Sequence, residues 1–206
     1  DGTGLYVHYN WHWFWEYGNG EIGNQGVHEM DIAVWGHNRG LPVKVYSTGG
    51  RYSWKDQGET PNTQATSFTY ADGSIMTFEV RNIGSYPECG DDACSNSFFG
   101  SKGYYKRGVG FFDYQNKPIE VQEAKPEEQG KFQHFFKAVR SRDVADVTAP
   151  VLPAHLSCVH CHLGNIAYRL GRSLEFDPKT ETFKDDDANK LVKREYRKDF
   201  EVPQLA

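Results

Sequence analysis

Gly23-Asn24-Gln25-Gly26-Val27-His28-Glu29-Met30-Asp31 is the stretch on which the fold turns, because the hydrophobic period changes there. From Asn24 onward, Val27, Met30 and Val34 fall at i, i+3 and i+7, one face of a helix running to about Gly36. Gly36 and Gly40 supply its end, and Pro42 blocks continuation. Upstream, residues 6–15 alternate with period two. Tyr6, His8, Asn10 and His12 share one side, and Trp11, Trp13 and Trp15 the other. That pattern predicts a strand with a polar face and an aromatic face. Gly18, Gly20 and Gly23 mark the turn that follows.

Downstream, strand signals dominate. Residues 43–52 read as one strand. Residues 65–70 and 74–80 flank Ala71-Asp72-Gly73, a hairpin signal because Asp-Gly tolerates the positive φ of a tight turn. A loop with Gly84, Pro87, Gly90, Asp91 and Asp92 follows, then shorter strands at 97–99, 104–106 and 109–114. Residues 122–130 read as an exposed connector. Phe132, Phe135, Phe136 and Val139 form one helical stripe. Leu156, Val159, Leu163, Ile166, Ala167 and Leu170 form another. Residues 174–176 are strand-like, and 190–198 a solvated charged tail. The expected fold is α+β: an open mixed, mostly antiparallel β-sheet with helices on one face. Its free face, expected to be rich in aromatics, would need a partner surface.

The chain has 206 residues, enough for one core, and residues 1–206 read as a single domain. A net charge of −5, with no basic cluster, argues against a nucleic-acid partner. No run of about 18 apolar residues is present, so no membrane span is expected. Aromatics reach 15%, which suits large β surfaces or a sugar-facing cleft.

Asn24 and His28 stand four apart, which places both on one face of the helix start. A histidine there suits proton transfer, its unperturbed pKa lying near neutrality. A histidine that merely bonds a neighbouring loop fits the same spacing.

Gly26, His28 and Asp31 resemble the Gly-x-His-x-x-Asp signature that opens the C-terminal domain of the Gfo/Idh/MocA oxidoreductases. Further blocks resemble a bacterial branch of that family in the same order: Trp11-His12-Trp13-Phe14-Trp15, Leu41-Pro42-Val43, Tyr70-Ala71-Asp72-Gly73, Phe99-Gly100-Ser101-Lys102-Gly103 and His162-Leu163-Gly164-Asn165-Ile166-Ala167. The resemblance implies the substrate-binding and oligomerisation half of an NAD(P)-dependent enzyme acting on a sugar, sugar derivative or cyclitol. His28 would be its acid/base group, with Asn24, His8, Asn10 and His12 lining the pocket. It further implies a homo-oligomer joined through the open sheet face, in a bacterial cytoplasm or periplasm.

Two departures matter. The family usually carries Asp four residues before the histidine, where this chain has Asn24; an amide cannot pass on a proton as a carboxylate does. No βαβ unit precedes the helix, and no Gly-x-Gly-x-x-Gly is expected to follow a strand. A Rossmann domain, on the same or a separate polypeptide, would therefore hold NAD or NADP, and this chain alone is expected to bind neither. Asp1-Gly2-Thr3-Gly4 starts near where the family's second domain starts, suggesting a cleaved or excised piece.

Three alternatives stay open. Cys158-Val159-His160-Cys161-His162 matches Cys-x-x-Cys-His, the c-type haem attachment motif. The pairs Cys89/Cys94 and Cys158/Cys161 could together hold zinc, and Cys89/Cys94 could also form a small disulfide or stay reduced. Trp11, Trp13 and Trp15 could instead present a flat platform in a non-enzymatic carbohydrate-binding or scaffold module.

Overall fold

The computed structural model describes residues 8–53, 55–82, 94–122 and 130–202. The loop from Gly84 to Asp92, Cys89 with it, and most of the 122–130 connector lie outside the described residues.

The first element departs from expectation. Residues His8–Trp13 form a 3-10 helix rather than part of a strand. The reason is local hydrogen bonding: the His12 ring donates from Nδ1 to the Tyr9 carbonyl at 2.7 Å, closing an i to i−3 loop that extended backbone cannot make. Short helix α1 (Gly20–Gly23) follows, then α2 (Gly26–His37). The second helix runs through Gly36 and closes on Asn38, whose φ of 50° places it in the left-handed region that caps helix ends.

Strands β1 (Lys44–Gly50), β2 (Thr63–Thr69) and β3 (Ile75–Arg81) form a meander, joined later by β7 (Leu174–Asp177) and β8 (Thr182–Phe183). The sheet order is β3-β2-β1-β7-β8, and every described pairing is antiparallel. The β2–β3 hairpin turns at Gly73, whose φ is +84°. Asp72 accepts from the Ser74 backbone and hydroxyl and from Arg39, and these bonds hold its carboxyl well below the usual carboxylate range.

Register decides which face is covered. Val45 pairs with Phe68, and Phe68 with Met76; Leu174, Phe176 and Phe183 continue the same face. Helix α4 (Val151–Leu170) lies on it and buries Cys161, Leu163, Ile166 and Ala167 beside Met30 and Val34 of α2. Leu163, Ile166, Met30 and Val34 each contribute roughly 1.5–3 kcal/mol of burial. The opposite face stays open, but it is not rich in aromatics. Tyr46 and Ile75 are its large apolar groups, among Thr48, Ser67, Thr69 and Thr77.

Many of the missing aromatics belong to a second sheet that the pattern did not separate. Strands β4 (Ser97–Gly100), β5 (Gly103–Lys106) and β6 (Gly110–Phe112) stack Phe99, Tyr104 and Phe112 on one side, with centroids 5.8 and 5.4 Å apart. Phe98, Tyr105 and Phe111 stack on the other. Helix α3 (Lys131–Ser141) carries the expected stripe, yet Phe132, Phe135, Phe136 and Val139 are all exposed.

A buried polar tie locks α4 to the sheet. His160, fully buried, donates from Nδ1 to the Leu156 carbonyl at 2.7 Å, so its Nε2 accepts from the Tyr70 hydroxyl at 2.9 Å. Burial pushes the ring down to about 4, so it stays neutral at pH 7. The folded value lies below the unfolded one. Stability from this group is therefore complete above pH ~6.5 and lost as pH falls from there to about 4. Denaturant melts at pH 7 and pH 4.5 should differ by about 2–3 kcal/mol from this residue. NMR should show the His160 ring untitrated above pH ~5; a midpoint near 6.5 would contradict the geometry.

Candidate functional site

The candidate site is the first turn of α2, and the residues around it leave one face of the helix free. Val27, Met30, Ala33 and Val34 turn toward the core. Glu29 accepts from Arg107 Nη1 at 2.7 and 2.9 Å and from Asn96 Nδ2 at 2.6 Å, binding α2 to the small sheet. Asp31 accepts from the Ser157 hydroxyl at 2.7 Å, binding it to α4. His28, Asp31 and Trp35 are left exposed along the remaining stripe. Asp31 thus has a structural bond. None of these three ties was visible in sequence, because the partners lie 67 to 126 positions away.

Asn24 is not on that helix. Its backbone N–H closes α1 onto the Gly20 and Glu21 carbonyls, with φ and ψ both −89°, and α2 starts afresh after Gln25. The i, i+4 relation to His28 is therefore a relation across a helix break, not along one face. Asn24 is half-buried and His28 exposed.

The expected pocket wall changes with the first element. The His8 side chain lies outside what the structure describes. Asn10 is half-buried, and His12 is only 2% exposed, so it sits inside the protein. The three tryptophans do not form a platform either. Arg51 lies 5.0 Å over Trp13, Arg169 lies 5.0 Å over Trp15, and Trp11 alone is widely exposed.

Gly18-Asn19-Gly20-Glu21-Ile22-Gly23 does match the letters Gly-x-Gly-x-x-Gly, but among the described residues no strand precedes it. The structure explains these glycines without a dinucleotide. The element before them is a 3-10 helix, and the helix they open has four residues. A Cβ on Gly18 would come 2.4 Å from the His12 Cα, and Gly20 takes φ +71° against Thr60. They serve close packing, not phosphate binding.

The cysteine motif is likewise absorbed by the fold. Cys158 and His162 are exposed on α4, but Cys161 is 1% exposed in the core, where burial pushes its thiol up to about 12. Thioether attachment would pull that sulfur out of the core. For the zinc reading, Cys89 lies outside the described residues. Among the described residues no three His, Cys, Asp or Glu side chains converge as a metal site, and no helix is long and apolar enough to cross a membrane.

Gly18→Ala should cost roughly 1–3 kcal/mol, since the obstructing atoms are backbone and must shift. Thermal melts check this; an unchanged midpoint would show that the 3-10 helix is free to move away.

No curated protein matches the chain. Among solved structures, an oxidoreductase from Thermotoga maritima aligns at 15% identity and TM-score 0.59, covering 88% of this chain and 51% of its own. The WlbA dehydrogenase from Bordetella pertussis, solved with NADH and UDP-GlcNAcA, aligns at 18% identity and TM-score 0.56, covering 81% and 48%. An oxidoreductase from Agrobacterium radiobacter, solved with NAD+, L-tartaric acid and magnesium, gives 13%, 0.54, 75% and 48%. The chain spans about half the length of these structures, which share its fold. The family model described as "Oxidoreductase family, C-terminal alpha/beta domain" matches residues 4–202, so the chain belongs to the Gfo/Idh/MocA oxidoreductases as their C-terminal domain.

Proposed function

We propose that this chain is the substrate-binding half of an NAD(P)-dependent oxidoreductase acting on a sugar, sugar derivative or cyclitol, with His28 as its acid/base group. One observation carries this reading: His28 is exposed on the first turn of a helix whose neighbouring side chains are fixed by Arg107, Asn96 and Ser157. A ring on so firmly held a turn can meet a substrate hydroxyl repeatedly in one geometry.

The chain's one Gly-x-Gly-x-x-Gly run is taken up by packing and does not offer the dinucleotide cradle of a Rossmann domain. Accepting hydride is left to a Rossmann domain, on this or another polypeptide. The work of this half is to seat the hydroxyl and take its proton at an imidazole nitrogen of His28. Asn24, an amide, orients by hydrogen bonding but holds no proton. Asn10 and His8 lie on the element preceding the site and are assigned to the pocket wall, while buried His12 supports that wall from within. The open sheet face, with Tyr46 and Ile75 exposed, is assigned to contact with a second copy.

In the intact enzyme His28→Ala should lower kcat/KM by at least ~10²-fold while leaving the melting temperature within a degree or so, because the side chain is exposed. Unchanged turnover would move the chemistry elsewhere. Tyr46→Asp should shift the particle toward monomer in light scattering; an unaltered mass would place the contact on another surface.

A further inference from the structure

Three polar side chains gather around the three-residue run Asn19-Gly20-Glu21, and each ends in a buried atom with no hydrogen-bond partner among the described residues. These atoms are His12 Nε2, Thr60 Oγ1 and Asn165 Oδ1. Each belongs to a residue touching that run. His12 Nε2 faces Glu21 Oε2 at 4.0 Å, Thr60 packs on Gly20, and Asn165 donates from Nδ2 to the Asn19 carbonyl at 2.7 Å. His12, Thr60 and Asn165 are 2%, 0% and 5% exposed, so bulk solvent does not reach them.

The His12 ring sharpens the problem. Its Nδ1 must donate, because the Tyr9 carbonyl 2.7 Å away can only accept. In the neutral ring Nε2 is then an acceptor, and the carboxylate opposite is an acceptor too. Two acceptors at 4.0 Å have no bond to each other, and a buried acceptor left bare is costly. A donor between them resolves both. A small O–H donor with two to four polar partners in reach is the setting in which proteins keep internal water.

We infer that the run Asn19-Gly20-Glu21 rests on an internal hydration site, with water donating to His12 Nε2 and to Glu21 and accepting from the Thr60 hydroxyl. The site joins the 3-10 helix, α1 and the segment before β2. Since α1 leads directly into Asn24 and α2, the bound water helps fix the element from which α2 departs, whatever substrate the protein takes.

The test is a high-resolution crystal structure of this chain at pH 7.5, paired with melting of Thr60→Val. The inference expects water density within hydrogen-bond distance of both His12 Nε2 and Glu21 Oε2. It also expects Thr60→Val, which keeps the shape and removes the bond to water, to lower Tm by about 2–4 °C. Direct closure of Nε2 onto Glu21, a protein donor in the same place, or the absence of density would overturn it. So would an unchanged or raised Tm in Thr60→Val, because a truly unpartnered hydroxyl is better replaced by methyl.

Discussion

Helix α2 is gripped on three sides, and the rest of the structure is arranged around that grip. Its apolar face, Met30 and Val34 foremost, packs beside α4 over the sheet. Asp31 reaches Ser157 on α4, and Glu29 reaches Arg107 and Asn96 near the small sheet. Magnitudes sort these roles. Burying Met30 and Val34 is worth several kcal/mol, whereas partly exposed polar ties such as Glu29–Arg107 are worth about 1 kcal/mol or less. The core therefore holds the helix down, and the polar ties fix its rotation. The result is a single free stripe with His28 at its leading end.

What the sequence made legible followed from periodicity that the core itself enforces. Val27, Met30 and Val34 announced α2; Leu163, Ile166 and Ala167 announced α4; Ala71-Asp72-Gly73 announced the hairpin. Residues 6–15 failed for the opposite reason. Their alternation of polar and aromatic residues looked two-sided, but His12 turns inward while Trp13 and Trp15 are faced by arginines at 5.0 Å. A side chain that bonds its own backbone, as His12 does to Tyr9, overrides a period-two pattern. The two-residue break at Asn24-Gln25 leaves no mark on hydrophobic spacing, which is why the sequence reads Asn24 onto α2. The glycines of residues 18–23 show that a motif's letters carry no mechanism without the strand and long helix that give it one.

The surfaces left uncovered fit a domain built to meet other structure. The α3 stripe of Phe132, Phe135, Phe136 and Val139 is exposed on a helix with no buried residue, and Tyr46 and Ile75 stand on an open sheet face. Exposed apolar patches of this kind mark contact surfaces. The solved relatives are about twice the length that this chain covers.

The most direct measurement is a structure of the intact enzyme with dinucleotide and a bound sugar. The account predicts a substrate hydroxyl within about 2.6–3.2 Å of an imidazole nitrogen of His28, over the first turn of α2. A sugar seated away from that turn, with His28 facing solvent, would contradict it.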